Sequence, residues 1–441
     1  MTTRPKASAE IHGQSGPDQN PQHSGTRGEA SAHRPPPHTD GILAGMRIVE
    51  AAAFVAAPLG GMSLAQMGAD VIRIDALQGG LDWRRWPIAE SGASLFWCGL
   101  NKHKRSVALD LASPRGRELA QAIICAPGED SGILLTNFPP RGWLAYEPLQ
   151  AVRPDLIQFT LQGDRHGGSA VDYTVNARMG LPYVTGPQGG AEPVNHVLPA
   201  WDLITGQMVA LGLLAAERHR RRTGQGQHVK LALEDVALAT MQHLGFIAEA
   251  RQGQARQQHG NELFGAFGRD FASGDGRRVM VVGLTRKQWQ SLCAAMSLQP
   301  AMAALEDRLK LDLSLEGDRF RARAEIAEPV AAWIAARPLS EVAEAFDRHG
   351  VCWGQYQTVA ELADSAECSP ANPLFTTIEQ AGVGSMLAAG LPLDFGAVER
   401  LAARPAPSLG QHTEEVLAEL LGTTQAQFGQ LLDAGVVAIP E

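Results

Sequence analysis

The chain contains only five cysteines in 441 residues, and they are scattered without a C-x-x-C pair. This odd, sparse set provides neither a disulfide framework nor zinc-ligand spacing, and it indicates a reducing, cytoplasmic compartment. No apolar run is long enough to span a bilayer, and the N-terminus lacks the apolar segment of a secretory signal. The 38 basic residues are outnumbered by 47 acidic ones. A net charge of −9 argues against a nucleic-acid partner, and we expect no membrane partner either.

The first forty residues differ in composition from the rest of the chain. They are rich in Pro, Gly, Ser, His, Gln and charged residues. Such a segment cannot bury enough apolar surface to fold, so residues 1–40 are predicted to be a disordered tail. The remaining chain is long enough for two domains with a sizeable core.

Strand and helix patterns alternate from about residue 41. Residues 46–51 and 71–75 are short apolar runs typical of buried strands, and Pro58 begins a helical segment between them. This β-α-β unit predicts an α/β fold with a parallel, Rossmann-like sheet. The predicted organisation is a large domain over residues 41–235, a smaller α+β domain over 236–365, and a C-terminal segment over 366–441 that returns to the large domain.

The first β–α turn lacks the glycines of a dinucleotide-binding protein. A pyrophosphate-binding turn needs G-x-G-x-x-G, so that the backbone approaches the phosphates closely. Residues 51–58 read AAAFVAAP instead. The predicted sheet therefore binds a different ligand, or binds it elsewhere.

Asp202 is the most informative single residue. It directly precedes an apolar segment that predicts a helix over about 203–222. Asp is a favoured N-cap residue, because its carboxylate accepts the free N–H groups of the first turn. The same position also suits an ionised nucleophile that attacks an acyl carbon. The local pattern leaves both roles open, and capping is the commoner one.

Six short segments occur in an order that resembles the family III CoA-transferases, the group of formyl-CoA and carnitine CoA-transferases. The resemblance extends from about residue 41 to the C-terminus. Each segment is unspecific alone, and the ordered set is specific. The segments are FVAAP at 54–58, GADVIRID at 68–75, NKHKRSVALD at 101–110, NF at 137–138, RTGQG at 222–226 and PAPSLGQHT at 405–413.

Further segments resemble a narrower group in the family, whose members move CoA between the two carboxylates of one methyl-branched, unsaturated dicarboxylic acid. This resemblance implies an intramolecular transferase, that is, an isomerase. The segments are FVAAPLGGM at 54–62, GGLDWRRWP at 79–87, TNFPPRGWLAY at 136–146, VDYTVN at 171–176, NHVLPAWD at 195–202 and FGAFGRD at 264–270.

The resemblance implies that Asp202 is the covalent acyl carrier and that the chain forms an interlocked homodimer. It implies an acyl-CoA substrate, no metal, and no cofactor beyond the CoA carried by the substrate. The implied CoA-binding residues are Val55, Ala56, Arg73, Leu100, Asn101, Lys102, His103, Lys104, Arg105, Asn137 and Phe138. For the basic residues at 102, 104 and 105, a solvated turn is the alternative to phosphate binding. Candidates to hold the second carboxylate are Arg141, Arg165, His166 and His196.

Three alternative functions remain open. An intermolecular CoA-transferase would depend on an added acceptor acid. A 2-methylacyl-CoA racemase would exchange the α-proton with solvent; related racemases place an acid at the position of Asp172, but no partner base is evident here. A non-catalytic CoA-binding protein would bind without turnover, and its function would survive Asp202→Asn.

Overall fold

The strands belong to three sheets. The computed structural model of the protein describes residues 41–254 and 256–440; the predicted tail over 1–40 lies outside the described residues. In chain order the strands are β1 (Arg47–Ala51), β2 (Asp70–Ala76), β3 (Arg105–Leu109), β4 (Ile133–Thr136), β5 (Ile157–Gln162), β6 (Gln227–Ala232), β7 (Phe267–Ala272), β8 (Arg278–Gly283), β9 (Cys352–Gln355), β10 (Phe375–Gln380), β11 (Gly384–Ala389) and β12 (Val437–Ala438).

The helices alternate with the strands in the first half of the chain. They are α1 (Ala56–Ala65), α2 (Leu95–Leu100), α3 (Pro114–Ile124), α4 (Tyr146–Val152), α5 (Asp172–Arg178), α6 (Ala200–Thr223), α7 (Leu233–His243), α8 (Phe246–Arg251), α9 (Arg286–Met296), α10 (Gln299–Leu309), α11 (Glu316–Arg321), α12 (Arg323–Ala335), α13 (Leu339–His349), α14 (Val359–Ala363), α15 (Thr413–Leu421) and α16 (Gln425–Asp433). Across the described ranges, no helix combines the length and the apolarity needed to cross a membrane.

The central sheet has the strand order β12-β3-β2-β1-β4-β5-β6. All neighbouring pairs are parallel except the short β12, which pairs antiparallel with β3. The predicted parallel sheet and α/β fold class are confirmed. The chain builds outward from β1 to β2 and β3, and then crosses to β4 on the other side of β1. In open α/β sheets, ligands bind outside the carboxyl ends of the strands at such a switch point.

Helices cover both faces of this sheet. Side chains alternate along a strand, so Val49 and Ala51 of β1 face one core and Ile48 faces the other. One core receives apolar residues of α3, α15 and α16, and the other receives those of α1 and α6. Burial on both faces explains why a strand such as β4, with sequence ILLT, has consecutive apolar residues and ends in a threonine whose hydroxyl donates to the carbonyl of Ala51.

Glycines allow α1 and α6 to approach each other closely. A Cβ added to Gly60 would lie 2.6 Å from Cγ1 of Val209, and one added to Gly206 would lie 2.8 Å from Cδ2 of Leu59. Both distances are below normal contact, so only glycine fits at these two positions. The close packing brings the first turn of α6 beside the first turn of α1, at the switch point of the sheet.

A separate apolar core lies in the region predicted to be the smaller domain. The antiparallel sheet β7-β8-β9 packs against helices between α9 and α13, and its core residues run from Phe267 to Val351. Farther along, β12 and the helices α15 and α16 return to the central sheet. The described residues nevertheless belong to one compact unit, so the boundaries at 235 and 365 stay a prediction.

Candidate active site

A cavity of about 630 Å³ opens at the carboxyl ends of the central strands. Its wall is formed by the turn after β1, by Asn137 after β4, by the end of β5, and by the starts of α5 and α6. Asp202, Asp172 and Arg85 are the charged residues among those that the structure describes in this wall. The cavity therefore lies where the strand order predicts a ligand, and it contains the predicted nucleophile.

The turn between β1 and α1 is held by Asn137. Its side-chain oxygen accepts the N–H of Ala53 at 3.1 Å, and its side-chain nitrogen donates to the carbonyl of Ala53 at 2.8 Å. Val55 is the N-cap of α1, and its side chain forms no capping hydrogen bond. The first N–H groups of α1 are therefore not occupied by a cap. This turn places Val55, Ala56 and Asn137, three predicted CoA-binding residues, in the cavity wall.

Asp202 lies in the first turn of α6 but is not its N-cap. The helix begins at Ala200, three residues before the predicted start, and the N-cap position is occupied by Pro199. Proline suits this position because its φ is compatible with helix entry. The capping hypothesis for Asp202 is therefore wrong. The carboxylate still lies at the positive end of the helix dipole, where negative charge is favoured.

Asp172 lies next to Asp202 and is almost completely buried. One of its carboxylate oxygens, Oδ2, accepts the backbone N–H of Asp202 at 3.0 Å. The other, Oδ1, has no hydrogen-bond partner among the described residues. The pKa of Asp202 is raised from its ordinary 3.8 to about 7, mainly by burial and then by the charge of Asp172, whereas the charge of Arg85 lowers it. Near neutral pH, Asp202 thus exists in both protonation states.

Aromatic rings surround the cation of the cavity. The guanidinium carbon of Arg85 lies 5.6 Å from the ring centre of Phe54 and 5.2 Å from that of Phe96. Both distances are within the range of a cation–π interaction. Trp86 completes this side of the cavity. The site thus combines a carboxyl pair, one guanidinium and apolar walls.

Three of the predicted CoA-binding residues lie instead in a buried ionic network beside the cavity. Arg73 donates to Asp75 at 2.9 Å, and through its other nitrogens to Asp82 and to Asn101, each at 3.0 Å. Lys104 donates to Glu50 at 2.8 Å and to Asn101 at 3.0 Å. Both cations are fully buried and already paired, so a phosphate would have to compete with these carboxylates.

Burial also changes the protonation of this network. It lowers the pKa of Lys104 from 10.5 to about 8, against the opposing charge of Glu50, and it raises the pKa of Glu50. A carboxylate and an ammonium without water must be hydrogen-bonded to each other to remain charged. The network thus ties β1 and β2 together, and the assignment of Arg73, Asn101 and Lys104 to CoA stays a prediction.

The remaining predicted CoA-binding residues are distributed over two places. Arg105 pairs with Asp70 at 2.5 Å and with Glu419 at 2.6 Å. Lys102 donates to the carbonyl of Gly99 at 2.6 Å, and His103 Nε2 accepts the backbone N–H of Arg404 at 3.0 Å. Leu100 ends α2, and Phe138 follows Asn137 with about a third of its surface exposed. None of these lines the cavity, and their assignment to CoA stays a prediction.

The four candidates for the second carboxylate also lie outside the cavity wall. Arg165 pairs with Asp235 at 2.6 Å. The ring of His196 contacts the carbonyl of Leu198 and, through Nε2, the side chain of Asn176 at 3.0 Å. Arg141 and His166 are exposed. In the described residues, no group of three or more His, Cys, Asp or Glu side chains is arranged to hold a metal ion.

Residues 43–413 match CoA-transferase family III. The chain belongs to this family. Over 404 residues it is 58% identical to the 2-methylfumaryl-CoA isomerase of Chloroflexus aurantiacus, covering 91% of this chain and 99% of that protein. It is 29% identical to the β subunit of succinyl-CoA–L-malate CoA-transferase from the same organism, over 90% of this chain and 98% of that one. A CaiB/BaiF family protein from Brucella suis has the same fold, with a TM-score of 0.71 at 22% identity, over 86% of this chain and all of the other.

Among the charged residues in the wall of this cavity, Arg85 is the one that the sequence did not single out. Arg85 is part of the segment DWRRWP, quoted above only for its resemblance to relatives. The available signal was an arginine between two tryptophans, Trp83 and Trp86, in a segment that has no acidic residue after Asp82. Sequence alone could not distinguish Arg85 from Arg84, which lines a different cavity.

Proposed function

We propose that this protein catalyses an intramolecular CoA transfer, which converts mesaconyl-C1-CoA (2-methylfumaryl-CoA) into mesaconyl-C4-CoA (3-methylfumaryl-CoA). The observation that carries the proposal is the carboxyl group of Asp202 in the wall of a largely apolar cavity, in a chain 58% identical to a 2-methylfumaryl-CoA isomerase. The reaction moves one thioester between the two ends of the same acid, so no external acceptor is required.

The proposed reaction begins with attack by the Asp202 carboxylate on the thioester carbonyl carbon. The C–S bond breaks, CoA leaves as its thiolate, and a mixed anhydride joins Asp202 to the acyl group. The thiolate then attacks the aspartyl carbonyl, which gives an aspartyl-CoA thioester and free mesaconate. Backbone N–H groups at Val55 and Ala56 are suited to stabilise the oxyanion, because no cap occupies the start of α1.

The second half of the reaction repeats these steps in reverse with the other carboxylate. The C4 carboxylate of mesaconate attacks the aspartyl thioester, CoA leaves again as thiolate, and the new anhydride is cleaved by the thiolate at the substrate's C4 carbonyl. This step regenerates the Asp202 carboxylate. Retention of mesaconate between the two halves replaces a bimolecular encounter by an intramolecular one, which is a large rate advantage.

The raised pKa of Asp202 suits this role. A carboxylate with a pKa of about 7 is more basic, and hence more nucleophilic, than one at 3.8. The mixed anhydride would form between largely apolar cavity walls, which limits wasteful hydrolysis. Every step uses carboxylates and a thiolate, so the proposal requires no metal and no cofactor beyond the CoA of the substrate.

We also propose that the enzyme is cytoplasmic and works as an interlocked homodimer. All five cysteines are free thiols, which supports a reducing compartment. Three apolar residues of α6, Ile204, Met208 and Leu211, are exposed and lie along one side of the helix. An exposed apolar helix face suits a subunit interface. Light scattering of the purified protein at several concentrations tests the dimer, and a monomer throughout would contradict it.

The function is tested by incubating the purified protein with mesaconyl-C1-CoA alone, followed by chromatography and mass spectrometry. We expect an isomeric product of unchanged mass, and no product with Asp202→Asn. Reaction only after addition of a free acid would assign an intermolecular transferase instead. Incorporation of solvent deuterium at Cα without CoA migration would assign a racemase, and full activity of Asp202→Asn would remove Asp202 from the mechanism.

A further inference from the structure

We propose that Arg85 binds the free carboxylate of the substrate and thereby selects dicarboxylic acyl groups. This inference rests on the proposed function, because it names the residue that recognises the second carboxylate in that same cavity. Among the described residues that line the cavity, Arg85 is the one cation. A substrate with a negative charge at its far end needs such a group to enter a site that already contains two carboxyls.

The guanidinium of Arg85 contacts aromatic rings and no acidic side chain of the described residues. Its side chain forms no hydrogen bond or ion pair with any residue in the described ranges, and its only contacts of that strength are with the rings of Phe54 and Phe96. By contrast, two other arginines of this region are neutralised: Arg165 pairs with Asp235, and Arg178 pairs with Glu234. All five N–H donors of Arg85 are thus available for an anion from outside the protein.

The surroundings of Arg85 favour a carboxylate over a point-like ion. The guanidinium is planar and presents two parallel N–H groups to a carboxylate, which forms two hydrogen bonds at once. The rings of Phe54 and Phe96 hold the guanidinium by cation–π contact, while Arg85 itself stays exposed to an incoming anion. Phe54 belongs to the same turn as Val55, so the anion site and the proposed thioester site share one rigid element.

This position also explains how one site can process both ends of the substrate. Arg85 lies close enough to lower the pKa of Asp202 by its charge, and both residues line the same cavity. While C1 is joined to Asp202, the C4 carboxylate pairs with Arg85. After mesaconate turns over within the cavity, C4 reacts and the C1 carboxylate takes its place at Arg85. The guanidinium thus retains the acid between the two half-reactions.

The test compares two acyl groups that differ only at the far end. Tiglyl-CoA has the carbon skeleton of mesaconyl-C1-CoA with a methyl group in place of the free carboxylate. Hydroxylamine traps Asp202 when its carboxyl group has been converted into the anhydride or the CoA thioester, and peptide mass spectrometry measures the trapped fraction. Isomerisation is measured by chromatography and mass spectrometry of the CoA esters. Both are run with wild type, Arg85→Gln and Arg85→Lys. The matched control is Arg84→Gln, the neighbouring arginine outside this cavity. Work at about pH 9 keeps Asp202 ionised in all variants.

We expect Arg85→Gln to lower kcat/KM for mesaconyl-C1-CoA by about 10- to 100-fold, the effect of losing a charged hydrogen-bond pair. Trapping of Asp202 from tiglyl-CoA by Arg85→Gln should stay within about twofold of wild type. For mesaconyl-C1-CoA, the kcat/KM of Arg85→Lys should lie between those of wild type and Arg85→Gln. Arg84→Gln should match wild type for both acyl groups. Equal losses for both acyl groups would assign Arg85 to CoA or to Asp202 itself and overturn the inference, as would no loss at all.

A second measurement separates this inference from the proposed function. In the presence of tiglyl-CoA and hydroxylamine, free mesaconate should protect Asp202 from trapping far better than free tiglate does. The Arg85→Gln substitution should remove this difference between the two acids. If Asp202 of the wild type is trapped from tiglyl-CoA but mesaconyl-C1-CoA is not isomerised, the proposed function fails. Protection by free mesaconate then still decides the role of Arg85. If mesaconate protects wild type and Arg85→Gln equally, the inference fails.

Discussion

Replacing Asp202 with asparagine should inactivate the enzyme and, at the same time, stabilise its fold. The pKa of Asp202 is about 7 in the folded protein against an ordinary 3.8, mainly because of burial and then because of the charge of Asp172. A carboxyl group with a raised folded pKa holds its proton more tightly when native than when unfolded. Its contribution to stability therefore falls as pH rises from 3.8 through 7.

The size of the effect follows from the two pKa values. One pKa unit corresponds to about 1.4 kcal/mol. Above pH 7, the ionised Asp202 therefore lowers the free energy of unfolding by at most about 4 kcal/mol. At about pH 5.5 the carboxyl group of Asp202 is protonated in the native state and ionised in the unfolded state, and the free energy of unfolding is lowered by only about 2 kcal/mol. Asparagine carries no charge at either pH. The gain in the free energy of unfolding should thus grow by about 2 kcal/mol between about pH 5.5 and about pH 8.5.

The assay is denaturation by urea at these two pH values, followed by tryptophan fluorescence, for wild type and Asp202→Asn. The control is Asp307→Asn on the exposed surface of α10, which removes the same formal charge without a burial effect. We expect the control to show little difference at either pH. An equal shift of the midpoint at both pH values for Asp202→Asn, or no shift, would refute the raised pKa.

Two further predictions concern neighbours of the site. Asp172→Asn keeps an oxygen acceptor for the N–H of Asp202 but removes a like charge, so the acidic limb of kcat/KM should move about one pH unit lower; an unmoved limb would contradict the coupling. Gly61→Ala should destabilise the fold by more than about 2 kcal/mol, because the added Cβ would lie 2.0 Å from Oε2 of the buried Glu50. Gly99→Ala, where nothing lies within 4 Å, is its control in thermal denaturation, and equal melting temperatures would contradict the crowding.

The regular elements of the central sheet were predictable because each is formed by a short, continuous segment whose pattern is local. The segment 46–76 contains β1, α1 and β2, and its apolar runs are visible from local pattern; α1 begins at Ala56, two residues before the predicted start at Pro58. The start of α6 was predicted three residues late, since Asp202 is the stronger capping residue type but Pro199 and Ala200 enter the helix first. The antiparallel partner of β3 was not predictable, because β12 is only two residues long.

The basic residues around β3 show the limit of sequence reasoning most clearly. Lys104 and Arg105 read as a solvated or phosphate-binding turn, whereas their side chains are buried against acids from distant parts of the chain. Glu50 lies 54 residues before Lys104, and Glu419 lies 314 residues after Arg105. A charge in a sequence does not reveal its partner, because ion pairs depend on distances that only the folded chain sets.

The sequence by itself determined the fold class and the family, since these depend on local apolar patterns and on ordered motifs, and it supplied the hypothesis that Asp202 is the nucleophile. Only the tertiary structure decided which charges meet. It brings Asp172 to the N–H of Asp202, places Arg85 between aromatic rings with no ion pair in the described part of the chain, and encloses Arg73 within carboxylates. The physical reason is that burial and distance determine whether a charge is neutralised, shifted in pKa or free to bind a ligand, and neither is a property of the linear chain.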